Sequence, residues 1–441
     1  MGEHVSGVGM KAFRSIGRVA LGMALAALLS ACNFGDQWFA TWYAAPQNYN
    51  VSFPSNIVPP PPPITIANQS VRQIVRTSRG GNQLRIKLSN LLGTEPVSFA
   101  AVHIARSTGR GSIDLSSDQS VRFGGAANVT LAPGEERWSD AVNLQVPTQS
   151  DLAVTVFVPD SAPVVSAHSI GKQTNYVAAG NQVSAAAMSN ATPVTSYFWL
   201  SAVDVSPIPM LNPVDASSSM TASDAAALAT DDVKVLVTFG DSITDGYGTT
   251  LDANRRWPNL FDDRVQAAGK SVGKVSVVNA GISGNRWLND GVGPSGQSRF
   301  AHDVLGVSGV SHVIILLGIN DIGIGKLYAP QSVSADQITA AIQTAIAQAK
   351  AQRLKVYLAT LLPYGGAAYY DATGEAKRQA VNAFVRSAAG IDGVIDFDKT
   401  MRDPADPTRM LAAYDSGDHL HPNDLGNQAM ANAISLGILK R

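Results

Sequence analysis

The sequence predicts two domains of different class: an all-β sandwich followed by an α/β domain on a parallel sheet. Three observations predict this. Between about 69 and 205, short strand patterns follow one another with polar turns and no helical period. From 233 onward, short runs rich in Val, Ile and Leu alternate with amphipathic stretches at helical spacing. Between them, 206–232 is rich in Pro, Ser and Ala and reads as a linker. The 441 residues are 45% hydrophobic and 15% charged, which supplies packed cores and argues against a disordered chain. A formal net charge of −1 gives no basic field for nucleic acid.

The elements follow in order. Lys11, Arg14 and Arg18 precede the apolar run Val19–Leu29. That run is too short for a bilayer span of ~20 residues and reads as a secretory signal. It closes on Leu29-Ser30-Ala31-Cys32, which resembles the bacterial lipobox. The resemblance implies a signal peptide over 1–31, cleavage before Cys32 and acylation there. Asn33, rather than Asp, then implies the outer membrane of the cell envelope. Cys32 is the single cysteine, so no intramolecular disulfide framework or Cys-cluster metal site is possible.

Residues 32–68 read as an extended, proline-rich segment, with Pro59–Pro63 a stiff polyproline spacer. In the β domain (69–205), Gly80-Gly81 between Val71–Thr77 and Leu84–Leu88 reads as a hairpin turn. Ala101–Ala105, Leu152–Val158 (stopped by Pro159) and Tyr197–Val203 are further strands, which suggests a jelly-roll kind of sandwich. His103 and His168 stand alone on strands and read as surface or packing residues.

In the α/β domain (233–441), strands are expected at Lys234–Phe239, Lys274–Asn279, His312–Leu317, Leu354–Leu361 and Val394–Phe397. Helices are expected at Trp257–Ala268, with Pro258 in the first turn, at Ser334–Arg353, at Glu375–Ala388 and from near Pro422. In the second, Ile338, Ile342, Ala345, Ile346 and Ala349 share one face and Ser334 is a cap. Helices on both faces of such a sheet put ligand chemistry at the C-terminal ends of its strands.

Four motifs fall at those ends or on the terminal loop: Phe239-Gly240-Asp241-Ser242-Ile243, Asn279-Ala280-Gly281-Ile282-Ser283-Gly284-Asn285, Gly318-Ile319-Asn320-Asp321 and Asp418-His419-Leu420-His421-Pro422. Together, and in this order, they resemble the SGNH, or GDSL, family of serine esterases and lipases. The resemblance covers about 233–441 and departs from the family name only in Ile243, where the name has Leu. It implies a flavodoxin-like catalytic sheet. It also implies an acyl-enzyme mechanism with Ser242 as nucleophile, His421 as base and Asp418 orienting the base. The oxyanion donors would be the Ser242 and Gly284 backbone N–H groups and the Asn320 amide, with no metal and no cofactor. The residue chemistry agrees. A serine hydroxyl needs an adjacent base, imidazole both takes and returns a proton, and the developing oxyanion needs fixed donors.

Alternatives stand beside these roles. Ser242 can be read as a helix cap. Asp418 and His421, with Asp424 nearby, can be read as part of a metal site, which leaves Ser242 and Asn320 unexplained. His419 and Asp415 lie close but outside the Asp-x-x-His spacing. Asp241 and Asp321 read as holders of loop geometry, and His302 and His312 as structural. The chain has no Gly-x-Ser-x-Gly elbow, and no Gly-x-x-x-x-Gly-Lys-Ser/Thr or Gly-x-Gly-x-x-Gly phosphate loop after a strand, which argues against an α/β-hydrolase fold and against a nucleotide-dependent enzyme.

The expected activity is carboxylic-ester hydrolysis on short-acyl or acetylated carbohydrate esters, by a lipoprotein on the periplasmic or surface face. The same residues serve an O-acyltransferase to glycans, and a non-catalytic envelope glycan-binding lipoprotein is the further alternative. Asp252, Arg255 and Arg256, with the polar 287–300 stretch, are expected to wall the cleft, which favours short acyl groups.

Overall fold

The computed structural model describes residues 1–2, 38–52, 59–207 and 233–440. The signal peptide, Cys32 and nearly all of the 206–232 linker therefore lie outside the described residues. From Trp38 onward the chain forms one compact unit.

The α/β part is built on five parallel strands: Lys234–Gly240, Val275–Gly281, Val310–Leu316, Lys355–Ala359 and Gly393–Ile395. Across the sheet they run second, first, third, fourth, fifth. The chain thus starts on an inner strand and reverses direction once. The crevice between the first and third strands is the switch point where such sheets bind ligands. Every residue of the first strand after Lys234 is buried, as expected for a Val-rich strand covered on both faces. Four longer helices cover the sheet: Trp257–Ala268, Ala335–Ala351, Ala372–Ser387 and Asp424–Ala433. The second starts on a reciprocal cap between Ser334 and Gln337 and buries the predicted Ile338, Ile342, Ala345, Ile346 and Ala349.

The preceding region is antiparallel. One sheet runs Phe39–Tyr43, Leu200–Ser206, Gln83–Ser89, Glu136–Trp138. The larger sheet is centred on Gln69–Arg76, Asp151–Val158 and Ala101–Gly109. Alternate residues Leu84, Ile86 and Leu88 of the first sheet join Val71, Val75, Val102, Ile104, Leu152, Val154 and Val156 of the second in one apolar core.

Two expectations fail here. Phe39–Tyr43, inside the supposed extended segment, is an edge strand paired with Leu200–Ser206. Its aromatic and β-branched residues are a strand signal that the nearby prolines obscured. The hairpin at Gly80-Gly81 does not exist, because the strands on either side belong to different sheets. These glycines allow close backbone approach instead. A Cβ on Gly80 would lie 2.2 Å from the Val146 carbonyl oxygen.

The β region also covers an edge of the parallel sheet. Ser276 Oγ donates to the Ala40 carbonyl at 2.7 Å, and Val277 N–H donates to Ser78 Oγ at 2.8 Å. An unpaired edge strand would otherwise be open to adventitious pairing. Ser78 Oγ in turn donates to Asp262 Oδ1 at 2.8 Å, on the Trp257–Ala268 helix. Burial pushes the Asp262 carboxyl up to about 6, against the lowering effect of bonds from Gln266 and Ser78.

The folded state therefore binds this proton more tightly than the unfolded chain. The resulting stabilisation is complete below the unfolded value near 3.8 and is lost as pH rises through about 6. Asp262→Asn cannot lose it. The melting temperature of this variant, relative to wild type, should rise by a few degrees, roughly, between pH 4 and pH 7. An unchanged difference across that range would show Asp262 already ionised at pH 4.

Candidate active site

The first parallel strand ends at Gly240, and the chain turns directly into the short helix Ser242–Asp245. Asp241 caps this helix, its Oδ1 accepting from Ile243 N–H at 3.0 Å. Capping therefore falls to Asp241, and the Ser242 hydroxyl is left for another partner. That partner is His421, which lies 2.8 Å from Ser242 Oγ through Nε2. His421 Nδ1 lies 2.5 Å from Asp418 Oδ2. An ionised carboxylate only accepts, so Nδ1 carries the proton and the Nε2 lone pair faces the serine.

Asp418 also accepts from the backbone N–H groups of His421 at 2.8 Å and Leu420 at 3.0 Å. Partial burial alone would raise its pKa. The bonds from His421 and the backbone outweigh that and hold the carboxyl well below the usual carboxylate range. It stays charged and can stabilise an imidazolium.

The neighbouring carboxylates turn elsewhere. Asp415 Oδ2 meets His419 Nδ1 at 2.6 Å, and Asp424 accepts from Thr250 N–H at 2.9 Å and Thr250 Oγ at 2.7 Å. These side chains do not converge on one centre, so the alternative metal reading of this stretch has no geometry behind it.

Gly284 lies in the loop after the second strand, with φ +79°. A side chain would be strained in that left-handed conformation, and its Cβ would lie 3.1 Å from Val292. Asn320 is in the first turn of the helix Ile319–Leu327 and is buried. Its Nδ2 donates to the Asn285 carbonyl at 3.1 Å, and its Oδ1 accepts from the Tyr369 hydroxyl at 3.1 Å. An amide nitrogen has two hydrogens, so one remains for a ligand. Ser242, Gly284, Asn320 and His421 all line one cleft of about 570 Å³.

Asp241 and Asp321 hold loops, as expected. Asp321 accepts from Trp287 N–H at 2.8 Å and Leu288 N–H at 3.1 Å. Burial pushes Asp241 up to about 7 and Asp321 up to about 6.

Tyr369 was missed in the sequence. Burial raises its pKa well above the usual tyrosine value, so the hydroxyl remains a donor. Its ring packs against Gly323, where a Cβ would come within 2.4 Å. A glycine inside a helix at that position was the available signal.

The expected polar walls are a second correction. The cleft is lined largely by Tyr49, Ile170, Tyr247, Val292, Ile324 and Leu327. Asp252 instead accepts from Thr174 Oγ at 2.6 Å, and Arg256 reaches the Gly171 carbonyl. Trp287 is fully buried, away from the cleft. The proline run is not a simple spacer either, because Pro59 and Pro61 line the cleft.

Residues 238–429 match the model of the GDSL-like Lipase/Acylhydrolase family. The chain carries a GDSL-type serine esterase domain. A GDSL-like lipase from Bacteroides thetaiotaomicron is similar at 24% identity, over 49% of this chain and 94% of its own, with a TM-score of 0.35. An acetyl-xylooligosaccharide esterase from Geobacillus, in a variant form, is similar at 23% identity over 45% and 91%, with a TM-score of 0.36. The acetyl xylan esterase AlAXEase is similar at 21% identity over 45% and 96%, with a TM-score of 0.35. No curated protein matches the chain.

In this esterase domain Tyr369 orients the Asn320 amide. With Asn320 in the oxyanion role expected from the sequence, Tyr369→Phe should lower kcat roughly tenfold, less than the ~10²–10³ cost of losing such a donor outright. KM should change less than twofold, roughly, because the affected bond strengthens only as charge develops. Steady-state kinetics on p-nitrophenyl acetate measures both. A loss confined to KM would make Tyr369 a substrate-binding residue instead.

Proposed function

We propose that the chain hydrolyses esters between a short acyl group and a carbohydrate hydroxyl, through an acyl-enzyme on Ser242. The observation that carries this reading is the hydrogen-bonded chain from Ser242 through His421 to Asp418, open to a cleft that Asn320 also lines.

In the first half-reaction Ser242 Oγ attacks the ester carbonyl carbon while His421 Nε2 takes its proton. Asp418 stabilises the imidazolium so formed. The carbonyl oxygen becomes an oxyanion held by the Ser242 and Gly284 N–H groups and the Asn320 amide. The bond to the alcohol oxygen then breaks, and His421 returns the proton to that oxygen. Water enters, loses a proton to His421 and attacks the acyl carbon. Collapse releases the acid and restores Ser242. No metal or organic cofactor enters this sequence.

The lining supports the substrate class. Val292 sits against Gly284, and Ile324 and Leu327 follow Asn320 on one helix, so aliphatic side chains surround the oxyanion side. The β region adds Gln47, Ser169, Thr195 and Ser196 beside Tyr49. Hydroxyl and amide groups next to a tyrosine ring suit an alcohol with both polar edges and an apolar face, as a sugar has. Gln47 Nε2 is buried without a hydrogen-bond partner, and a long hydrocarbon chain laid against it would leave it so, at a cost of about 1–3 kcal/mol.

Lipid anchorage at Cys32 is part of the proposal and places the enzyme at the cell envelope, on the outer membrane. The lipobox-like Leu29-Ser30-Ala31-Cys32 supports it. Cys32→Ala should move the protein out of the membrane fraction with unchanged kcat. Retention at the wild-type level would refute the anchor.

Ser242→Ala and His421→Ala should each remove nearly all hydrolysis, since the two act as one unit. Ser242→Ala should also abolish fluorophosphonate labelling. A p-nitrophenyl ester series from two to sixteen carbons, below micelle formation, should peak between acetyl and butyryl, and acetylated oligosaccharides should release acetate. A maximum at twelve carbons or more would identify a lipase, and a Ser242→Ala variant keeping a tenth of wild-type turnover would end the nucleophile assignment.

A further inference from the structure

His168 belongs to the β region, on the short strand Ser166–His168, yet it reaches the nucleophile helix. Its Nδ1 lies 3.0 Å from the Ala45 carbonyl oxygen, and its Nε2 lies 2.9 Å from Asp245 Oδ1. Neither partner has a hydrogen to give, so both ring nitrogens donate and the ring is an imidazolium. Both side chains are buried, so the ion pair lies away from solvent. Burial works against the charge on His168, but the charge and bond of Asp245 outweigh it and raise its pKa.

The other oxygen of Asp245 is engaged as well. Asp245 Oδ2 accepts from Ser283 N–H at 3.0 Å and from Ser283 Oγ at 2.6 Å. Ser283 immediately precedes Gly284. Asp245 itself closes the four-residue helix that begins at Ser242. One carboxylate thus joins the nucleophile's helix to the loop carrying the Gly284 N–H, and His168 fixes that carboxylate from outside the esterase domain. The Ser242 to His421 contact does not pass through this path. Disturbing His168 therefore acts on the oxyanion donors rather than on the base.

We propose that His168 is a positioning residue for ester cleavage, holding the Gly284 loop in register with Ser242 through Asp245 and Ser283. The inference rests on the esterase reading above, and it makes the β region part of the catalytic apparatus. Asp245 carries opposite faces of the same restraint, so the effects of His168 and Ser283 on turnover must be coupled. Residues that act through one shared partner give non-additive losses.

The test uses the full chain with p-nitrophenyl acetate and a trifluoromethyl ketone, whose adduct with Ser242 places an oxyanion in the hole. His168→Ala should lower kcat at least tenfold, roughly, with KM within about twofold. Affinity for the ketone should fall by a similar factor. Ser283→Ala should lose less, since its backbone donor remains, and the double variant should lose less than the product of the two single losses. His168→Gln keeps one donor to Asp245 and should fall between wild type and His168→Ala. It also serves if the alanine variant fails to fold, as judged by circular dichroism and melting temperature. Wild-type kcat and ketone affinity in a folded His168→Gln or His168→Ala protein would overturn the proposal. So would a loss borne by KM alone, or fully multiplicative losses. If Ser242→Ala retains hydrolysis, the esterase reading itself fails. If Ser242→Ala is inert while His168→Ala is fully active, only the role of His168 fails.

Discussion

The C-terminal ends of the first and second parallel strands are held by one buried cation, and the geometry of the site depends on it. Arg299 Nη2 donates to the Gly240 carbonyl at 2.8 Å, and Nη1 to the Ala280 carbonyl and to Asp303 Oδ2, each at 2.8 Å. Its Nε donates to Asn285 Oδ1 at 2.9 Å, and the guanidinium lies 4.0 Å above the Phe239 ring centroid. Gly240 is two residues before Ser242, and Asn285 directly follows Gly284. A planar five-donor group is suited to joining two strand ends and a loop at fixed angles. Burying such a charge is tolerable only because its donors are paired. Removing one partner of a buried pair typically costs about 3–5 kcal/mol. Asp303 extends the network to the Tyr43 hydroxyl at 2.8 Å, on the N-terminal strand of the β region.

Local pattern made much of the α/β part legible. The strands Lys234–Gly240 and Val310–Leu316 and the helix Trp257–Ala268 lie within about two residues of expectation, because apolar period and capping are encoded nearby. The motif residues come together for a simple reason: parallel strands end on one side of a sheet, so Ser242, Gly284 and Asn320 needed only the fold class to be brought close. His421 arrives from 179 residues away, and the histidine in the Asp-x-x-His spacing, rather than His419, is the one that lies beside Ser242 Oγ.

What stayed hidden depends on distant pairing. The strand patterns of Leu84–Leu88 and Tyr197–Val203 were both visible, but their pairing was not, so the two glycines before the first suggested a hairpin that does not form. His168 looked like any isolated strand histidine, because its partner Asp245 is 77 residues further along. Tyr369 sits beside Asn320 across 49 residues, outside every motif. His302 was read as structural and does bridge, meeting Glu136 Oε2 at 2.7 Å and Asp303 Oδ1 at 2.6 Å. Its reach into the β region could not be read from its surroundings in sequence.

The prolines on the cleft wall carry a consequence of their own. Pro59 and Pro61 have fixed φ angles and essentially no rotamers to lose. A flexible wall can reshape itself around different guests, and each adjustment freezes some of its motion. These rings have no such motion to surrender. On their own stretch of wall they admit a guest by its outline, and its polar substituents are left to Gln47, Ser169, Thr195 and Ser196 of the same lining.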